Sequence, residues 1–497
     1  MNYIKDYTYR GWRTYLLASV AVLLLFIYSP LGWAATSPQK NAFAAIDWPL
    51  LTPSVTEAVS VPTHSSYIQW IPQQQVLQGN LQLQISTTLP VSNLAVSLSA
   101  TVWQMVWDQS TGNYLELPHA AINAYSNEVL TAIGTPLNLP FTVQLPCEPG
   151  FWQVVFTVSL ATPNCEVFTS ERAYYVAYYP SASPMPGESF TVAVLPDTQY
   201  YARDNPVIFT RQTHWLAENA QHRNISLAVH MGDVTSRNTT DEWEVALASL
   251  GLLWDTVPFV LSVGNHDIIG PGGYVRQHTL IDNYFPTATF PHLIGTFTPD
   301  EISNSYHVIQ LAGVPYLVLA LEFGPRDEVL TWAEQVISAH PHHKVIIITH
   351  TYTGPGGVRI SATNSTASPQ FYLPELANGS VNDGAQMWEK LIRQHASVQL
   401  VLCGHIGVSA ITYNIARGDH GNLVYELLTN YQWEANGGNG YLALLQFTPA
   451  GELVVQVYSP FLDEYKASRA QPGFSNQFII NLESGKVKQL TPASFIN

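Results

Sequence analysis

Basic residues are scarce in this chain. Its 497 residues include 20 lysines and arginines against 36 aspartates and glutamates, a formal net charge of −16. Phosphate backbones reward Lys and Arg, so a broad nucleic-acid surface is excluded. A small anionic substrate is not, because charge local to a bound metal outweighs the global sign. Cysteine is nearly absent. The three present leave room for one bridge, between Cys147 and Cys165 across the strand-like stretch GFWQVVFTVSL, with Cys403 in an apolar run where packing is its expected role. Long apolar runs are also missing, with one exception. Behind Lys5, Arg10 and Arg13, Tyr15 to Tyr28 is almost wholly Leu, Ala, Val, Ile and Phe, and small residues follow at Ala34 and Ala35. Residues 1–35 therefore read as a secretory signal or, since Leu16 to Ala35 is about long enough to cross a bilayer, a retained anchor. The expectation is a secreted, periplasmic or cell-surface protein, tied to a membrane only if that segment is kept.

The length allows two or three domains. Residues 36–180 have few charges and short alternating stretches such as NLQLQIST and AVSLSATVWQMVW, broken by turn clusters at Gln109 to Asn113 and Cys147 to Gly150. That pattern predicts an all-β sandwich of immunoglobulin or fibronectin type. Residues 181–188, rich in Pro and Ser, read as a linker, and 189–497 as a second domain. In the second domain apolar runs alternate with helical spacing over Val207 to His222, Glu242 to Trp254, Asp327 to Ala339 and Gly384 to His395, and Thr239 with Glu242 predicts a capping box.

Five apolar runs of this domain end in oxygen or nitrogen donors: TVAVLPDTQ, SLAVHMGD, FVLSVGNHD, KVIIITH and QLVLCGH. Each reads as a buried strand whose carboxyl end opens into a loop, the edge where ligands gather in open α/β sheets. Asp197, Asp233, Asn265, His266, His350 and His405 can thus converge on one crevice although they are far apart in sequence. Singly, each has a plainer reading: His350 as a core histidine, Asp197 as a turn cap, Asp267 as a loop carboxylate paired with Arg276. Their shared order favours a metal site.

The ordered set Asp197-Thr198-Gln199, Gly232-Asp233, Gly264-Asn265-His266-Asp267, His350 and Gly404-His405-Ile406-Gly407 resembles the calcineurin-like metallophosphoesterase family over roughly residues 189 to 460. The resemblance implies an α/β fold, a four-layer sandwich of two mixed sheets flanked by helices. It implies two divalent ions (Mn, Fe, Zn or Ni) and hydrolysis of phosphomonoester or phosphodiester bonds by a hydroxide formed on the metal. On this pattern Asp197 and Gln199 serve the first ion and Asp233 bridges both. Asn265, His350 and His405 complete the second site, with Asn265 also touching substrate. His266 would be the general acid, with Asp267 orienting its ring. Arg326, in Gly324-Pro325-Arg326-Asp327, is open to gripping a phosphate or pairing with a carboxylate. Two family histidines are replaced, by Gln199 and Gly407, and both replacements fall on the first ion, which is expected to be weak or vacant unless another residue, such as His307 or His420, reaches in. Purple acid phosphatases share the domain order but place a tyrosine where Ser236 stands. The expected substrate is a small phosphoester of unspecified kind, since the loops near Gly270 to Gly273 and Gly354 to Gly379 carry no readable code. The competing class is a catalytically silent cell-surface or glycan-binding protein on the same scaffold.

Overall fold

The computed structural model describes residues 44–47, 67–71, 76–87, 94–130, 137–161, 167–373, 381–467 and 473–490. The amino-terminal segment read as a signal or anchor lies outside them, as does Cys165 and with it the expected bridge. Among the described residues no helix is long and apolar enough to cross a membrane. The chain divides into two compact units, residues 1–106 with 115–176, and residues 107–114 with 177–497.

Apart from the turn at residues 145–149, the described residues of the first unit are almost wholly strand. One four-stranded sheet joins Ala44–Asp47, Val76–Thr87, Tyr67–Ile71 and Leu137–Gln144, and another joins Asn113–Leu130, Leu94–Asp108, Gly150–Ala161 and Val167–Tyr178. Phe141 of one sheet meets Phe156 of the other with ring centroids 4.6 Å apart.

The second unit is built on two eight-stranded mixed sheets. In one, Phe259–Leu261, Ile225–His230 and Phe190–Leu195 run parallel in that order. The strands Leu442–Phe447 and Glu452–Ser459 continue this sheet: Leu442–Phe447 pairs antiparallel with Phe190–Leu195 and with Glu452–Ser459. The other sheet carries the parallel run Val314–Leu321, Lys344–Thr349, Val398–Cys403 and Leu423–Asn430.

Alternation along each strand makes the layers. Val192 and Val194, Leu227 and Val229 share a core with Val318, Ala320, Ile346 and Ile348 of the facing sheet. The intervening Ala193, Leu195 and Ala228 pack outward on Phe209, Leu216 and Trp243, from the helices Pro206–Glu218 and Thr240–Leu250. Leu317, Leu319, Val345 and Ile347 do the same against Leu330, Ala333 and Ile337 of the helix Asp327–Ala339. Helix, sheet, sheet, helix is the observed order, the four layers expected. The Thr239–Glu242 capping box does not form. Thr239 makes no side-chain cap, and the Glu242 carboxylate turns back to accept from the backbone N–H of Ser236 and Arg237, at 2.9 and 2.7 Å. Asp383 and Gln386 supply a complete box at another helix.

Candidate metal centre

Asp197, Asp233 and Asn265 follow the parallel strands Phe190–Leu195, Ile225–His230 and Phe259–Leu261 of one sheet. His350 and His405 follow Lys344–Thr349 and Val398–Cys403 of the other. The two sets of carboxyl ends meet, and close approach of their loops depends on glycine. A Cβ on Gly264 would stand 2.2 Å from Asp233 Oδ1, and one on Gly404 2.2 Å from Asp197 Oδ1. Asp197, Gln199, Asp233, Asn265 and His350 are buried and His405 is partly so.

His350 organises one half of the centre. Its Nδ1 faces the Met231 carbonyl at 2.7 Å, which fixes the ring with a proton on that nitrogen. Its Nε2 then points at Asp233 Oδ1 (3.2 Å), Asn265 Oδ1 (3.1 Å) and His405 Nδ1 (3.1 Å). Ligand atoms of Asp233, His350 and His405 all lie within 4.8 Å of one another. Burial draws the His350 imidazole down, but the charges of Asp233 and Asp197 outweigh it and hold the group up at about 9. Burial pushes Asp233 up, yet His350, His266 and His405 bring it to about 2. Burial and the charge of His350 lower His405 to about 3. A proton on His350 thus sits among three other acceptor atoms, a donor set that also suits a divalent cation.

The other half gathers on Asp233 Oδ2. That oxygen accepts from Gln199 Nε2 at 3.3 Å, and the same amide nitrogen donates to Gln432 Oε1. Asp197 accepts from the backbone N–H of His405 at 3.2 and 3.1 Å and from Asn430 Nδ2 at 2.7 Å. Burial drives its carboxyl well above the usual range; the charge of His350 opposes this and that of Asp233 adds to it. Gln199 Oε1 is buried with no hydrogen-bond partner. An orphaned carbonyl oxygen on an amide that meets the Asp233 carboxylate fits a cation as well.

His266 is partly exposed at the edge of this cluster. Its backbone N–H donates to Asp233 Oδ1 at 2.9 Å and its Nδ1 faces the Ser236 carbonyl at 2.7 Å. The Ser236 carbonyl, not Asp267, therefore orients the ring. The fully buried Asp267 instead ties two loops together, accepting from the backbone of Val234 (3.1 Å), Thr235 (2.8 Å) and Gly264 (3.0 Å) and from the Thr235 hydroxyl (2.9 Å). Burial, with the charge of Asp233, raises it to about 6. Nor does it pair with Arg276, whose guanidinium donates to the Phe323 and Gly324 carbonyls at 2.5 Å each.

Arg326 is not drawn into the cluster. It donates to Glu322 at 2.8 Å and to Glu328 at 2.7 Å, so the carboxylate pairing takes its guanidinium. His307 bonds Ser305 at 3.2 Å and His420 the Gln394 carbonyl at 3.0 Å; neither reaches the centre. Cys403 is buried against Thr353. Sequence reasoning missed Asn430 and Gln432. Asn430 ends the apolar strand Leu423–Asn430 and Gln432 follows two residues on, so the signal that exposed the other strand-end loops was present there too, closed by neutral amides in place of Asp or His.

The model of the calcineurin-like phosphoesterase family matches residues 190–409. That stretch is a calcineurin-like phosphoesterase domain, with the fold of that family. Over 292 residues the chain is 30% identical to the uncharacterized protein YvnB of Bacillus subtilis (strain 168), a match covering 56% of this chain and 21% of that protein. The chain thus spans about a fifth of the length of this relative. Among solved structures, it is similar to a purple acid phosphatase from yellow lupin seeds, at a TM-score of 0.37 and 12% identity, covering 81% of this chain and 72% of that one. A cold-active protein-tyrosine phosphatase of a psychrophilic Shewanella gives a TM-score of 0.28 and 13% identity, over 63% and 95% of the two chains.

Proposed function

We propose that the protein is a metal-dependent phosphoesterase that hydrolyses a small phosphomonoester or phosphodiester outside the cytoplasm. The observation that carries this reading is Asp233 itself: Oδ1 faces His350, and Oδ2 faces Gln199. One carboxylate serving two acceptor-rich clusters is what a pair of ions requires of a bridge. Asp197, Gln199 and Asp233 would hold the first ion, and Asp233, Asn265, His350 and His405 the second. Bound there, divalent cations supply neutralisation of phosphoryl charge and acidification of water.

The remaining work falls to the chain's own groups. With Nδ1 of His266 held by the Ser236 carbonyl, Nε2 is the nitrogen left to hold a proton and give it to the leaving-group oxygen. Asn265, whose Oδ1 faces His350, offers its amide N–H to a phosphoryl oxygen. The apolar run behind Lys5, Arg10 and Arg13 supports the extracytoplasmic location. The test is a metal-reconstituted screen of the full chain across mono- and diester substrates. Turnover that chelation abolishes and added Mn restores is expected; bound metal with no turnover on any substrate would favour the silent scaffold.

A further inference from the structure

Gly407 stands where the family pattern has its last histidine, and the first ion also lacks the imidazole replaced by Gln199. The structure puts a different side chain in reach. Gln432 is buried, 7% exposed, two residues past the end of the strand Leu423–Asn430. Its backbone N–H donates to Asn430 Oδ1 at 2.9 Å, and its Nε2 donates to the His405 carbonyl at 3.3 Å. With its nitrogen anchored on His405, its Oε1 turns toward Gln199. The amide nitrogen of Gln199 is then the one donor between Asp233 Oδ2 and Gln432 Oε1, while its own oxygen has no partner. An amide rotated by half a turn exchanges its oxygen and nitrogen at little steric cost. In that rotamer Gln199 Oε1, Gln432 Oε1 and Asp233 Oδ2 become three oxygens converging with no donor among them. Three converging acceptors demand a cation.

We infer that Gln432 is a ligand of the first ion, supplying from the loop after the strand Leu423–Asn430 the donor that Gly407 cannot. The inference rests on the phosphoesterase reading for the existence of the centre, but it concerns only the weaker of the two ions. Neutral amide oxygens in place of imidazoles make that ion exchangeable, and Asn430 contributes by holding Asp197 in place.

The test is titration of Mn(II) into the chelated full-length chain, followed by calorimetry and by the magnetic coupling of the bound ions. The wild type should show one tight and one weaker ion. Partners that merely orient a ligand are worth about 10- to 100-fold in metal affinity, so losing a direct ligand in Gln432→Ala should weaken the second ion by at least about tenfold and leave the tight ion unchanged. Gln432→Glu adds a negative charge at the same reach and should tighten the second ion. Retention of wild-type affinity for the second ion in both variants overturns the inference. So does a wild type that takes up one ion and no second even in excess metal, a result that leaves the phosphoesterase reading standing. Absence of the tight ion sinks the broader reading instead. Loss of both ions in Gln432→Ala with no gain in Gln432→Glu assigns the side chain to folding and overturns the ligand role.

Discussion

At the scale of single residues, the centre is a set of acceptors held together by one proton or one cation at a time. His350 shows the consequence in the metal-free protein. Its folded value of about 9 is above its ordinary 6.5, so the stabilisation from its pairing with Asp233 is complete below about pH 6.5 and is lost as pH rises through about 9. Melting temperature of chelated protein should fall across that window. His350→Gln should flatten the fall, and an unchanged profile in that variant would assign the slope to other groups. His266 carries a second prediction. His266→Ala should cut turnover of substrates with poor leaving groups by about 10² to 10⁴, the usual range for a general acid, and spare activated aryl phosphates. Its ring touches the Ser236 carbonyl and its backbone alone bonds Asp233, so metal content should hold. Loss of metal in this variant would make it a ligand.

At the scale of elements, the site is a meeting of strand ends, and what joins them was only partly legible. Alternating or continuous apolar runs ending in Asp, Asn or His located the strands and five of their loops, because buried parallel strands leave that signature whatever surrounds them. The helix Asp327–Ala339 was read to the residue. What the sequence did not show was partner choice. Glu242 has the spacing of a capping box, yet its carboxylate goes to Ser236 and Arg237. Asp267 neighbours His266, yet it spends its lone pairs on three backbone N–H groups and a hydroxyl. Asp267→Ala should therefore unfasten the loops of Asp233 and Asn265 together. With charge-assisted bonds worth about 1.5 to 3 kcal/mol each, several kcal/mol of stability should go, visible as a lowered denaturant midpoint and reduced metal uptake. A midpoint within experimental scatter of wild type would refute the role. Gly407 sets a related limit. A Cβ there would stand 2.7 Å from the indole of Trp433, which is 69% exposed and can swing aside. Gly407→His combined with Gln199→His should tighten the first ion only if that indole moves, which its fluorescence would report.

For the whole molecule, the phosphoesterase unit recruits a segment that no linker signal announces. Trp107–Tyr114 belongs to it: the Tyr114 hydroxyl bonds buried His214 at 2.9 Å, Arg211 lies 5.0 Å from the Trp107 ring, and Gln109 donates to the Phe461 carbonyl at 2.9 Å. Turn chemistry at Gln109 to Asn113 was readable, but its destination was not, since contacts between residues 100 to 352 positions apart leave no periodicity. The layers and the polar loops that end the strands were legible, whereas neutral amides such as Gln432 carry too little chemical signature to stand out in one sequence. The measurement that bears most directly on the account is metal content together with turnover of an aryl phosphate, for wild type and Asp233→Asn. Asp233 is, among the described residues, the carboxylate whose two oxygens face both clusters, and its replacement should abolish turnover and lower bound metal. Half or more of the wild-type rate, with metal unchanged, would contradict it.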